Sequence, residues 1–254
     1  MDIIDNVTVA FLLTFIAGMS ACLGGCIVFF TDKSKNIDIF LGSSLAFSAG
    51  AMLYISFTEI LSKAQNLLGG DTFGGFLRVN IGFFVGIAFM LLLGVILPEE
   101  GSDSSLMKKA GIYTAVATAV HNFPEGLVTF MAVLGGAETA LPTFFAIAIH
   151  NIPEGVAVAL PTMYATNSKK RGFLMASLTA VAEPLGAVIG WFLLRPVMSD
   201  SVNGAVFAAT AGIMVFLCFD ELLPLAYKYC GEKKSLVFLV FGFLTIALSL
   251  LFMK

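Results

Sequence analysis

The two histidines of the chain lie in two matching six-residue segments. The segments read His-Asn-Phe-Pro-Glu-Gly from His121 and His-Asn-Ile-Pro-Glu-Gly from His150, and they begin 29 residues apart. In a helix, the histidine and the glutamate of each segment are four residues apart and share a face. Imidazole, carboxylate and amide oxygen together suit first-row divalent cations such as zinc, iron(II) or manganese. The pattern therefore predicts a metal-binding site.

The candidate ligands combine the polar residues of both segments with one further acid. They are His121, Asn122, Glu125, His150, Asn151, Glu154 and Glu183. A proline inside each segment, Pro124 or Pro153, cannot donate a backbone hydrogen bond, so one carbonyl of the preceding turn is freed for a ligand. We therefore predict that both helices are broken there. The alternative, two kinked helices whose histidines bond to neighbours, would fit a lone histidine better than a duplicated segment.

The composition places these residues in a membrane. The chain is 58% hydrophobic and 12% charged, against about 25% charged in soluble domains. A net charge of −3 gives no reason to expect a nucleic-acid partner. Eight apolar runs are long enough to cross a bilayer, so we predict an all-α membrane protein with one polytopic domain over residues 1–254. The predicted spans are 7–30, 37–61, 79–97, 111–134, 141–164, 172–194, 203–226 and 234–253.

The basic residues predict the orientation. Ten of the 14 Lys and Arg residues follow odd-numbered spans and four lie on the other side. Since cytoplasmic loops carry the excess of positive charge, both termini are expected to be periplasmic or extracellular, in a plasma membrane such as the bacterial inner membrane. The longest connection, residues 61–78, holds two Gly-Gly pairs and is expected to be flexible.

Two internal repeats relate spans that run in opposite directions. The duplicated segments link spans four and five. A weaker similarity links spans two and seven, where Ala49-Gly50-Ala51-Met52 matches Ala211-Gly212-Ile213-Met214 at an offset of 162. Inverted repeats around a midplane site are typical of alternating-access transporters. We therefore predict a three-two-three arrangement of spans with inverted repeats.

Glu125, Glu154 and Glu183 are predicted to lie near the bilayer centre. A carboxylate there costs at least a few kcal/mol, and no Lys or Arg lies in the central part of a predicted span. These acids must therefore hold protons or receive a mobile cation. No ATP-binding motif is present, so a gradient would drive the cation.

Other candidate ligands lie away from the centre. Met52 could offer its sulfur, although a membrane methionine more often serves packing. Glu59 and the pair Asp220 and Glu221 are predicted at opposite mouths, where they could collect the cation as it enters or leaves. Equally, they could be ordinary solvated carboxylates at helix ends.

The motifs resemble those of the ZIP (Zrt/Irt-like) metal transporters, including Ala182 to Gly186 and Asp220 to Pro224. This resemblance implies uptake of zinc, often with iron, manganese, cobalt or cadmium, as substrate and not as a prosthetic group. It implies dimers in many members and an elevator-like movement of spans one, four, five and six. The histidine-rich loop of many members is absent, since Glu99, Glu100 and Asp103 are the candidate ligands between spans three and four.

The resemblance also implies a two-metal centre. One metal would be bound by His121, His150 and Glu154. The second would be bound by Asn122, Asn151, Glu125 and Glu183, with a glutamate bridging the two.

Two other functions compete with a carrier. An intramembrane metal-dependent hydrolase would need a retained metal and a general base, and the chain has no His-Glu-x-x-His. A cation channel would be expected to place rings of one residue type around a pore. The inverted duplication favours a carrier, and we expect no enzymatic activity.

Overall fold

The computed structural model describes residues 3–31, 35–96, 106–134, 137–197 and 199–252, and these residues form helices with no strand among them. The α-helices are α1 (Ile3–Gly25), α2 (Ile27–Phe30), α3 (Lys35–Ile55), α4 (Leu61–Leu68), α5 (Phe73–Ile96), α6 (Leu106–Leu134), α7 (Ala137–Thr166), α8 (Lys169–Ala180), α9 (Ala182–Leu194), α10 (Asp200–Leu217), α11 (Leu223–Cys230) and α12 (Glu232–Phe252).

Seven described segments are long and apolar enough to cross a membrane. The apolar end of α6, Asn122–Leu134, adds a shorter segment of the same kind. Many large hydrophobic side chains on the outside of the molecule are exposed, for example Phe84 on α5 at 61% and Phe192 on α9 at 71%. Such a surface needs lipid around it, and it indicates a multi-pass membrane protein.

The connection after the second span is much shorter than predicted. Helix α4 ends at Leu68 and α5 begins at Phe73, so the expected flexible loop over residues 61–78 is wrong. The glycines permit a tight hairpin: Gly69 has φ +68°, and Gly75 packs on the Gly69 carbonyl where a Cβ would not fit. Arg78 Nη2 then donates to the Leu68 carbonyl at 2.8 Å and caps α4.

The prolines of the duplicated segments do not end their helices. Helix α6 continues through Pro124 and α7 continues through Pro153, so the predicted breaks are not confirmed. The sixth span is interrupted instead, because α8 ends at Ala180 and α9 starts at Ala182. Pro184 explains this interruption, since it cannot donate to the Ala180 carbonyl.

The helices pack as two groups. The motif bundle consists of α1, α2, α6, α7, α8 and α9 and holds both duplicated segments. The flanking bundle consists of α3, α4, α5, α10, α11 and α12. The two bundles meet mainly where α3 packs on α7 and α10 packs on α6.

Glycines join helices within each bundle in matched pairs. Each of these glycines faces a main-chain carbonyl of the neighbouring helix so closely that a Cβ would not fit. The matched contacts are Gly24 on Ile152 with Gly186 on Phe123, Gly155 on Ala21 with Gly126 on Glu183, Gly50 on Leu239 with Gly212 on Phe83, and Gly242 on Phe47 with Gly86 on Ala209.

The offsets within these pairs are constant. Spans one and two map onto spans six and seven at 162 residues, the third span maps onto the eighth at 156, and the fourth onto the fifth at 29. The offset of 162 residues also relates two π-helical segments, Ser56–Ile60 and Cys218–Leu222. These segments interrupt the second and seventh spans. The glycine contacts thus follow the same similarity between spans two and seven that the sequence indicated only weakly.

Candidate metal-binding site

Helices α6 and α7 bring three of the predicted ligands together. One ligand atom each from Glu125, His150 and Glu154 lies within 4.8 Å of the other two. All three side chains are buried, with exposed fractions of 0%, 0% and 2%. Two glycines next to these ligands fix the position of their helices. Gly126 allows α6 to pack closely on the backbone of α9, and Gly155 allows α7 to pack closely on the backbone of α1.

The ring of His150 is held in a fixed orientation. Its Nδ1 lies 3.0 Å from the Ala146 carbonyl, which can only accept, so Nδ1 is the donor. Nε2 therefore points into the cluster, 3.3 Å from Glu125 Oε2 and 3.9 Å from Glu154 Oε1. A histidine whose second nitrogen donates to a carbonyl is the usual arrangement of a metal ligand.

The cluster has spare acceptor capacity. Glu125 Oε1 is buried and has no hydrogen-bond partner among the described residues. Two carboxylates share one imidazole in a water-poor interior, where unsatisfied oxygens are costly. A divalent cation bound between these groups would satisfy the free oxygen and balance the negative charge.

A second polar group lies beside the cluster, at the contact of α1, α7 and α9. Asn151 Nδ2 donates to Glu183 Oε2 at 2.6 Å and to the Ala17 carbonyl at 3.0 Å. Both side chains are 0% exposed, and Asn151 Oδ1 has no partner among the described residues. Gly18 makes room for this group, since a Cβ there would lie 3.0 Å from Glu183 Oε2.

Two further predicted ligands are less completely placed. Asn122 on α6 is fully buried, and its Nδ2 donates to the Thr179 carbonyl at 3.4 Å. His121 belongs to α6, but its side chain lies outside the described residues. Glu99, Glu100 and Asp103 also lie outside them.

The off-centre acids do not join the buried cluster. Glu59 lies in the first π-helical segment and is partly exposed, while Asp220 and Glu221 lie in the second, exposed and partly exposed. Glu59 and Glu221 occupy the same place in their segments, as the offset of 162 predicts. Met52 on α3 is fully buried.

Two serines at the site were not among the predicted site residues. Ser20 Oγ on α1 donates to the Ala148 carbonyl at 2.8 Å, and Ser48 Oγ on α3 donates to the His150 carbonyl at 3.4 Å. Both stabilise the main chain of α7 beside the cluster. Only their position among small residues of apolar helices could have drawn attention to them.

The arrangement is suited to reversible binding of a divalent cation. Imidazole and carboxylate are the ligands that zinc and other first-row divalent metals accept. The cluster is buried on all described sides, so the cation would have to shed its water and exchange it for protein ligands. The four cysteines are free thiols, and none belongs to the group.

Comparison with known proteins places the chain in a family. A family model described as ZIP Zinc transporter matches residues 98–250. Zinc transporter ZupT of Clostridium perfringens is 43% identical over 98% of this chain and 98% of that protein. Zinc transporter ZupT of Streptococcus mutans is 43% identical over 95% of this chain and 96% of that protein, and that of Chlorobaculum parvum is 42% identical over 97% and 98%.

These relatives are named as transporters and not as enzymes. The match extends over nearly the whole chain and includes both duplicated segments. The chain belongs to the ZIP family of zinc transporters.

Proposed function

We propose that this protein is a secondary transporter that imports divalent cations, zinc above all, into the cytoplasm. The observation that carries the proposal is the buried cluster of Glu125, His150 and Glu154, in which two carboxylates face one imidazole. Buried carboxylates of this kind must hold protons or receive a cation, and a transported divalent cation meets this need. Iron(II), manganese, cobalt and cadmium are further candidate substrates by the same ligand chemistry.

The proposed centre binds two metals. His150 and Glu154 hold the first metal, together with His121. Asn122, Asn151 and Glu183 hold the second. Glu125 bridges the two, which is supported by its 3.3 Å approach to His150 and by its unpartnered second oxygen.

Transport proceeds by alternating access. The matched glycine contacts support two inverted repeats, spans one to three and six to eight, around spans four and five. Because the metal ligands all lie in the motif bundle, movement of this bundle against the flanking bundle would carry the site from one side to the other. Glu59 and Glu221 would then receive the cation at the two mouths.

The remaining assignments follow from the charge count and the family. The chain is one polytopic domain in the plasma membrane, the bacterial inner membrane in a bacterium, with both termini outside, and it forms a homodimer. If both termini lie outside, protease added to intact cells should cleave a protease-sensitive tag at either terminus. Protection of both tags until the membrane is opened would reverse the topology.

The direct test is transport in liposomes that contain a zinc-sensitive dye. Wild-type protein should give saturable zinc influx, whereas His150→Ala should give influx no faster than empty liposomes, because the substitution removes a direct ligand. Lys233→Ala, a change in an exposed residue at the start of α12, is the matched control and should transport normally. Full influx through His150→Ala would refute the proposed site.

The same liposomes separate the competing functions. A saturable, slow rate supports a carrier, whereas an ohmic zinc current that does not saturate would identify a channel. Metal that stays bound through purification, without any influx, would favour a hydrolase. Parallel runs with iron(II), manganese and cadmium, with and without a pH gradient, would rank the substrates and test proton coupling.

A further inference from the structure

Side-chain hydrogen bonds of the described residues cross from the flanking bundle to the motif bundle at two places that bear on its movement. One is the contact of Ser48 with the His150 carbonyl at 3.4 Å. The other joins Lys63 Nζ on α4 to Thr143 Oγ1 on α7 at 2.8 Å. The second bond is shorter and has a charged donor, and Thr143 is only 1% exposed. It is therefore the stronger of the two.

The side chain of Lys63 is partly buried between the two bundles. A lysine near the end of a membrane helix usually extends its charge toward the interface. Here the side chain turns inward instead, and Nζ lies 6.0 Å from the ring centroid of Phe207, which is buried on α10. Glu59, one turn earlier, attracts the charge electrostatically. The packing thus holds one positive charge at the boundary between the bundles.

A cavity of about 310 Å³ lies beside Lys63. The flanking bundle contributes Lys63, Asn66 and Phe207, and the motif bundle contributes Met131 and Ala132 of α6. Asp200 and Asn203 of α10 also line it. The cavity belongs to the end of the molecule where α4 joins α5, which the charge count places outside.

The cavity wall and the bond from Lys63 to Thr143 involve the same two helices, α6 and α7, as the metal cluster. Thr143 precedes His150 by seven residues on α7, and Ala132 follows Glu125 by seven residues on α6. Seven residues of helix rise about 10 Å. Ala132 in the cavity wall and Thr143 therefore each lie about two turns from the cluster, at the same end of the bundle.

We propose that the bond from Lys63 to Thr143 is a latch that closes this mouth of the cation path. The latch rests on the proposed function, since it gives the moving bundle a bond that must break when the mouth opens. Lysine suits the role because its long side chain can swing aside while α4 stays in place. An incoming divalent cation in the cavity would repel the ammonium group and so promote its release.

The test measures opening without using metal. The four cysteines, Cys22, Cys26, Cys218 and Cys230, are replaced by serine, and Ala132→Cys is added as a reporter in the cavity wall. The rate at which a membrane-impermeant maleimide labels the reporter is then measured in the full-length protein in liposomes. Lys63→Met, which keeps the apolar stem, should raise the rate about tenfold or more, the size expected for one lost hydrogen bond to a charged donor.

Thr143→Val provides an independent second variant, because it removes the acceptor with little change of shape. It should raise the labelling rate as Lys63→Met does, and the double variant should label no faster than either single one. Lys228→Met, at the end of α11, removes a lysine elsewhere and should leave the rate unchanged.

An unchanged labelling rate in both single variants, or additive effects in the double variant, would overturn the latch. Zinc influx through the same liposomes is measured separately. Absence of influx in the wild-type protein, with faster labelling of the two variants, would count against the proposed function alone. Normal influx in the wild-type protein, with unchanged labelling of the variants, would count against the latch alone.

Discussion

At the scale of single residues, the proposed metal site combines charges that would stabilise a bound cation but not the metal-free protein. Glu125 and Glu154 are buried around one imidazole, and Glu125 retains an oxygen without a hydrogen-bond partner among the described residues. Burying charge that is incompletely paired reduces the stability of a protein. A substitution that removes one of these charges is therefore expected to stabilise the metal-free protein and to reduce zinc transport.

Glu125→Gln tests this expectation. The amide keeps the shape of the side chain and removes a negative charge, so the metal-free protein should unfold at a higher temperature. Zinc influx should fall by about 100-fold or more, beyond the range typical of residues that only support a ligand. Glu232→Gln at the exposed start of α12 is the control and should change neither quantity. Normal influx through Glu125→Gln would remove this residue from the site.

Gly18 is expected to be essential for the position of Glu183. A Cβ at this position would lie 2.9 Å from Glu183 Cβ and 3.0 Å from its Oε2. Gly18→Ala should therefore displace the carboxylate from Asn151, lower the free energy of unfolding by about 1–3 kcal/mol and weaken zinc binding. Calorimetry and zinc titration in detergent would measure both effects.

Gly94→Ala is the matched control for Gly18→Ala. Gly94 lies in α5, and a Cβ there meets nothing within 4 Å. The substitution should leave zinc binding intact and stabilise the helix by up to about 1 kcal/mol. If Gly18→Ala behaved in the same way, crowding of Glu183 would be refuted.

At the scale of elements, helix contacts in the two halves of the chain depend on equivalent glycines. Gly24 lets α1 approach α7 at Ile152, and Gly186 lets α9 approach α6 at Phe123. In lipid, helices associate through close packing of small residues, since the hydrophobic effect between them is weak. Loss of either close contact should therefore lower the free energy of unfolding by a similar amount.

Gly24→Val and Gly186→Val should therefore lower the Tm of the protein in detergent by comparable amounts. Gly94→Val serves as the control and should have a much smaller effect, because its surroundings are open. Large destabilisation by one substitution and none by the other would contradict the equivalence of the two contacts.

The π-helical segments are a second shared feature of the two halves. Ser56–Ile60 and Cys218–Leu222 each insert an extra residue into the helical ladder, and each carries a glutamate at its fourth position. Such segments often occur at functional sites. Their identical placement supports related roles for Glu59 and Glu221.

At the scale of the whole molecule, metal binding should be linked to stability. A ligand that binds only the folded protein at 100 times its Kd adds about 2.7 kcal/mol. Zinc should therefore raise the Tm of the purified protein by several degrees, and a chelator should reverse the shift. The double variant His150→Ala/Glu154→Ala, which loses two ligands of the first metal, should show a clearly smaller shift, and an equal shift in that variant would place the zinc elsewhere.

The sequence alone determined the features that depend on local spacing. Apolar runs predicted the membrane segments, the duplicated motif identified His150 and Glu154 on one helical face, and an offset of 162 related the second span to the seventh. These features are local because a helix repeats every 3.6 residues whatever surrounds it. The resemblance to a family, later confirmed, depended on the same motifs.

The tertiary structure decided which faces meet. Glu125 lies with His150 and Glu154 because glycine contacts set the rotation and axial position of α6 and α7, and no spacing within one helix records these quantities. The bond between Lys63 and Thr143 likewise joins residues that are 80 positions apart in the chain, which only the folded molecule brings together. The tight turn at Gly69 and the continuous helices through Pro124 and Pro153 were also seen only in the structure, because glycine and proline permit more than one local conformation.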